Sequence, residues 1–243
     1  LYYRMLHLYK KDWITQVSLN ERPYKFTCLN RADKSWRRMY ASNLHALGLT
    51  NEAQFSYTGY QYETSSKNEE DLQAWLDNVE LDNQTEIYSS FSMQIPFKCD
   101  SLADVQHNDH KLIHTPHHSD SYWNFIVETH FDQDTCFLTE KTFKCILNLQ
   151  PFIIVGSARS LELLHFLGYK TFSDIINERY DDETNPYKRM TEMIHLSYSI
   201  ADRGHKDQRV MTRLMTPLLE YNQTRFLAPK TQRIMNLLNK LEY

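Results

Sequence analysis

At 243 residues, with 41% hydrophobic side chains and a formal net charge of -4 from 27 Lys+Arg against 31 Asp+Glu, the chain has material for one large core or two small ones. This balance excludes a disordered chain and a general electrostatic attraction to nucleic acid or anionic membranes, so any such partner would need a local basic patch. No apolar run is long enough to span a bilayer, and four scattered cysteines without a C-x-x-C pair suit reduced thiols in the cytoplasm.

The chain opens on Leu1, so a preceding domain or targeting segment is expected to lie outside it. Residues 1–22 repeat apolar side chains at helical spacing and read as an N-terminal helix or the remnant of a preceding domain. From residue 23 the period changes. Tyr24–Leu29 reads as a strand, Asn30-Arg31-Ala32-Asp33 as a turn with helix-capping side chains, and KSWRRMYASNLHALG as a helix stopped by Gly48.

The middle segment, 50–121, reads as loop-rich: QFSYTGYQYETSSKNEE is polar and turn-rich, DLQAWLDNVE is a short helix, and 96–121 is a long loop with one helical turn. Alternation resumes at Tyr122, with strand SYWNFIVET, helix LTEKTFKCILNLQ, strand PFIIVGS, helix ARSLELLHFLG, short strand YKTF and helix SDIINERYD. The remainder to residue 243 reads as helical, with Pro186, Pro217 and Pro229 at or near helix starts. The fold class predicted is α/β, a Rossmann-like parallel sheet flanked by helices over 23–243, with a helical C-terminal region. In such a sheet the loops after Leu29, Glu128 and Val155 open on one edge, where ligands bind.

Two basic clusters fall on that edge: Arg31, Lys34, Arg37 and Arg38 over one loop and helix start, and Lys141 and Lys144 on another. Thr139 is the expected N-cap of the second helix. A cation in the first turn opposes the helix dipole, so Lys141 either points to solvent or faces a ligand more negative than the helix end is positive. Fixed cations beside a helix N-terminus are what a diphosphate requires. Each cluster alone also reads as a solvated helix face. The segment HNDHKLIHTPHHSD holds His107, His110, His114, His117 and His118; on one helix the first three would share a face and, with Asp109 or Asp120, could hold zinc, although Pro116 breaks any helix aligning all five. His118 or Asp120 is also a candidate base for an acceptor hydroxyl. Tyr57, Tyr60 and Tyr62, and Tyr122, Trp123 and Phe125, read as core packing, with stacking on sugar rings or bases as the alternative.

KFTCLNRADKSWRRMYASNL resembles the first strand and helix of the donor-binding domain of α1,3-fucosyltransferases, with Asn30, Arg37 and Tyr40 at that family's Asn, Arg and Tyr positions. FIVETHFDQDTCFLTEKTFKCILNLQPFIIVG resembles its second signature, and Glu128, Thr139, Glu140, Lys141 and Gly156 match. Phe137 stands where that family carries an aromatic hydroxyl. The resemblance covers roughly residues 25–170 and implies a GT-B-type donor-binding domain. It implies a glycosyltransferase that moves a sugar from a nucleotide diphosphate donor, with GDP-sugar favoured, to an acceptor hydroxyl on a glycan or a modified DNA base, with no metal or other cofactor. The implied donor-binding residues are Asn30, Arg31, Arg37, Tyr40, Phe137, Thr139, Glu140, Lys141, Lys144 and Gly156, with Arg37 and Lys141 at the diphosphate and Glu140 at sugar hydroxyls. Glu128, Asp120 and His118 are the catalytic candidates. The family's acceptor domain, which carries its base, lies N-terminal to the donor domain, so either it is missing from this chain, or the middle segment 50–120 supplies the base, or a partner does. High Tyr, Asn and Lys usage with five Gly fits a viral or AT-rich genome, and the expected location is the cytoplasm, that of the host if the chain is viral. A catalytically inactive binding module and a metal-dependent hydrolase built on the His cluster remain alternatives.

Overall fold

The computed structural model describes residues 13–60, 68–99 and 115–229. Four parallel strands form its sheet in the order β2-β1-β3-β4: β1 Tyr24–Ala32, β2 Ala53–Tyr60, β3 Ser121–Val127 and β4 Phe152–Val155. Among the described residues eight α-helices flank it: α1 Ser35–Ala46, α2 Asn68–Asn78, α3 Gln84–Gln94, α4 Thr115–Ser119, α5 Glu140–Leu147, α6 Ser160–Phe166, α7 Pro186–Ala201 and α8 His205–Leu227. The α/β class and the helical C-terminal region expected from the sequence are therefore present.

Every residue of β4 is buried, and six of the seven in β3 are, as two-sided covering by helices requires. Phe26 stacks on Phe125 at 4.3 Å between the two central strands. Tyr57, Tyr122, Trp123 and Phe125 are all in the core, so these aromatics pack rather than present stacking faces. Helix α7 starts as its sequence dictates. Pro186 occupies the first turn, and the Asn185 side chain accepts from the Tyr187 and Lys188 amides.

Several expected elements differ. The polar stretch after residue 53 holds an edge strand, β2, in which Phe55 and Tyr57 face the core; an edge strand needs only alternate apolar positions, so Ser56 and Thr58 disguised it. Strand β1 runs three residues beyond Leu29, which places Asn30 and Arg31 in the ladder rather than in a turn. Residues 1–12 of the expected N-terminal helix lie outside the described residues. Residues 13–23 are not helical; Trp13, Ile14 and Val17 pack on the main core, and the Ile14 amide donates to Asn148 Oδ1 at 3.2 Å. The expected strand YKTF and helix SDIINERYD are irregular apart from a 3₁₀ turn at Arg179–Asp181. There the Glu178 carboxylate accepts from Thr171 Oγ1 (2.6 Å) and the Phe172 amide (2.8 Å), local bonds that compete with regular structure. Pro217 lies inside α8 rather than at a helix start.

One buried cation ties the carboxyl-end loops together. Arg189 of α7 donates to the carbonyls of Gly156 after β4, of Phe131 after β3, and of Glu183 and Thr184. No helix among the described residues is long and apolar enough to cross a membrane.

Candidate functional site

The chain steps from β1 to β2 on one side and, later, to β3 on the other. The crevice outside the carboxyl ends of β1 and β3 is thus the switch point at which sheets of this kind receive ligands. The loop 33–34 leading into α1 opens there, as does the segment from Glu128 that follows β3.

At that place three successive backbone carbonyls each accept from a different cationic side chain. Lys141 Nζ donates to Val127 O at 2.6 Å, Arg37 Nη2 and Nε to Glu128 O at 3.1 and 3.4 Å, and Lys34 Nζ to Thr129 O at 2.9 Å. A carbonyl orients a cation without cancelling its charge. Among the described residues, neither Lys34 nor Lys141 has a carboxylate oxygen within 4.0 Å. Burial, and then the neighbouring Arg37 charge, push the Lys141 ammonium down to about 8, and the same two causes lower Lys34. The positive charge is thereby held at a cost that a bound anion would offset.

Buried polar atoms without partners mark the same edge. Here they are Asn30 Oδ1 near the end of β1, Ser35 Oγ and Trp36 Nε1 in the first turn of α1, and Ser157 Oγ after β4, while Arg22 Nε and His205 Nδ1 lie elsewhere in the fold. Asn30, Ser35 and Ser157 are each no more than 3% exposed. An unsatisfied buried group costs about 1–3 kcal/mol, so such atoms gathered at a ligand-binding edge point to bonds that a ligand completes.

Glu128 has a different task from the one expected. It is 1% exposed. Its Oε1 accepts from the Thr139 amide (3.0 Å) and Thr142 Oγ1 (3.2 Å), and its Oε2 from Thr139 Oγ1 (2.7 Å). Thr139 caps α5 as expected, its hydroxyl accepting from the Lys141 amide. Glu128 therefore clamps the start of α5 to the end of β3, and its carboxylate is occupied by protein donors. Gly156 leaves room for this clamp, because a Cβ there would lie 3.3 Å from Glu128 Cβ.

The other predicted site residues separate into three groups. Arg37, Lys141 and Asn30 come together at the crevice, with half-buried Glu140 beside Lys141 and Phe137, 38% exposed, set edge-on against His130. Lys144 lies one turn along α5, Arg31 is on the opposite pleat of β1 from Asn30, and Arg38 is turned away to pair with Asp33. Tyr40, His118 and Asp120 are elsewhere. Tyr40 is fully buried, its hydroxyl 2.5 Å from Ser197 Oγ of α7, because one further turn of α1 carries it beneath that helix. Tyr40→Phe is expected to lower stability by about 1 kcal/mol in a urea titration and to leave anion affinity unchanged.

His118 and Asp120 precede β3 whereas Glu128 follows it, so the length of the strand, about 20 Å, separates them from the crevice. His118 is bound there to Gln150, with Nδ1 2.6 Å from Oε1. The sequence places Lys34 in a basic cluster and Ser157 in a loop on this edge, but it does not single out Ser35 or Ser157 as site residues, since nothing in a serine's type signals an orphaned hydroxyl. His107, His110 and His114 lie outside the described residues, and among those described no three His, Cys, Asp or Glu side chains are grouped to hold a metal. Compared with protein-family models, curated proteins and solved structures, the chain matches none.

Proposed function

We propose that the protein is a glycosyltransferase that binds a nucleotide diphosphate sugar at the β1/β3 crevice and transfers the sugar to an acceptor hydroxyl. The observation that carries this reading is the row of Lys141, Arg37 and Lys34 on the carbonyls of residues 127–129. As the bond between the sugar's anomeric carbon and the diphosphate oxygen breaks, negative charge grows on that oxygen, and cations already oriented there stabilise it without reorganising. The acceptor oxygen forms the new bond to the anomeric carbon and releases its proton to a base. Glu140, next to Lys141, takes the sugar hydroxyls, a role that comes from the resemblance to α1,3-fucosyltransferases, as does the preference for a GDP-sugar. Phe137 at the rim offers a face to the base or sugar.

The test is a thermal-shift series with GDP-, UDP-, CMP- and dTDP-sugars, followed by transfer of a labelled sugar from whichever donor stabilises the chain. Because side chains supply the charge that faces the diphosphate, transfer is expected to persist in EDTA. Loss in EDTA and recovery with Mn²⁺ would overturn this metal-independent reading. A second reading, a binding module without transfer, is favoured by one observation: of the three acid–base candidates, His118 and Asp120 sit at the far edge and Glu128 is clamped. Donor binding without turnover of the label would select it.

A further inference from the structure

Two helices begin at the crevice, and they are furnished in opposite ways. The start of α5 already holds an anion, since the Glu128 carboxylate takes the Thr139 amide and hydroxyl and the Thr139 side chain caps the helix. At the start of α1 the nearest carboxylate, Asp33, is instead taken by the Arg38 guanidinium and the Tyr57 hydroxyl. No side chain caps this helix and no acidic residue lies in its first turn; its flanking residue is Lys34, whose ammonium rests on Thr129 O and 4.7 Å above the Trp36 ring. The first helical residue, Ser35, is 3% exposed, with a hydroxyl that has no partner, and the Trp36 indole N–H next to it is also buried and unpaired. A helix start without a side-chain cap, with a flanking cation and two orphaned side-chain donors, has the chemistry of a phosphate seat.

We propose that the Lys34–Ser35–Trp36 turn is a phosphate subsite at the start of α1, separate from Lys141, so that the two phosphates of a diphosphate are gripped at opposite ends of the cationic row with Arg37 between them. The ligand's identity as a nucleotide sugar rests on the reading above; the subsite itself is a statement about linked phosphates. The helix start that meets phosphate is then that of α1, since Glu128 occupies the Thr139 amide and hydroxyl at α5, while Lys141 reaches the other phosphate through its side chain.

Calorimetric titration of the whole chain with inorganic pyrophosphate and with orthophosphate, at fixed ionic strength, separates the two ends of the row. Pyrophosphate is expected to bind at least tenfold tighter than orthophosphate. Lys34→Met, Ser35→Ala and Lys141→Met should each weaken pyrophosphate about tenfold, since each removes a contact to one of its two phosphates, and Lys34→Arg should restore most of the loss at that position. Arg213→Met, on the exposed face of α8, controls for net charge. Pyrophosphate affinity unchanged in Lys34→Met and Ser35→Ala would overturn the subsite and leave the nucleotide-sugar reading standing. If pyrophosphate binds as described but no nucleotide sugar does, the subsite stands and the glycosyltransferase reading fails.

Discussion

Glu128→Ala is expected to be the most damaging single substitution at the crevice, lowering the free energy of unfolding by about 3–5 kcal/mol. The carboxylate is 1% exposed and satisfies the Thr139 amide, the Thr139 hydroxyl and the Thr142 hydroxyl; alanine strands all three in a space too enclosed for bulk water to replace it. Glu128→Gln keeps the volume and one acceptor oxygen and should cost about 1–2 kcal/mol. Urea unfolding followed by far-UV circular dichroism measures both. A loss under 1 kcal/mol for Glu128→Ala would show that the clamp is not what holds α5 to β3, and would return Glu128 to the list of groups open to substrate.

Lys141→Met should act in opposite directions on folding and on binding. Folding lowers the ammonium pKa from 10.5 to about 8, so the unfolded chain holds this proton more tightly than the folded one does. The penalty is present in full below pH 8 and is relieved as pH rises from about 8 towards 10.5, where the folded amine is neutral and the unfolded one still charged. Removing the charge should therefore stabilise the ligand-free protein at pH 7, by about 1 kcal/mol after the lost bond to Val127 O is set against it. The same substitution should weaken diphosphate by roughly 10- to 100-fold, the loss of one charge-assisted contact of about 1.5–3 kcal/mol. For the parent protein, anion affinity should fall as pH rises above 8, with proton uptake on binding in that range, visible as a dependence of the calorimetric enthalpy on the buffer. A pH-independent affinity between pH 7 and 10 would place Lys141 outside the anion's reach.

The parallel sheet was legible because its central strands are written as unbroken apolar runs, FIIV above all, and helix α5 because Thr139 caps an amphipathic stretch. The edge strand β2 was not, since half its residues face away from the core, and neither were the irregular segments around residue 175, where Glu178 and Asp181 bond to backbone amides instead of allowing a helix. At the site, Arg37, Lys141 and Asn30 could be placed from the order of strands and loops alone. Tyr40, His118 and Asp120 could not. Chain proximity to a motif says nothing about which end of a strand a residue occupies, and residue type does not reveal that a hydroxyl is already bound, as in Tyr40, or left without a partner, as in Ser35.

The four carbonyls gathered by Arg189 come from three separate segments, so a single guanidinium acts as a rivet through the loops that follow β3 and β4. Segments riveted to one rigid helix cannot fold over a ligand independently. The backbone at residues 131, 156, 183 and 184 therefore moves only as one body with α7, a fixed template behind the carboxyl ends of β3 and β4.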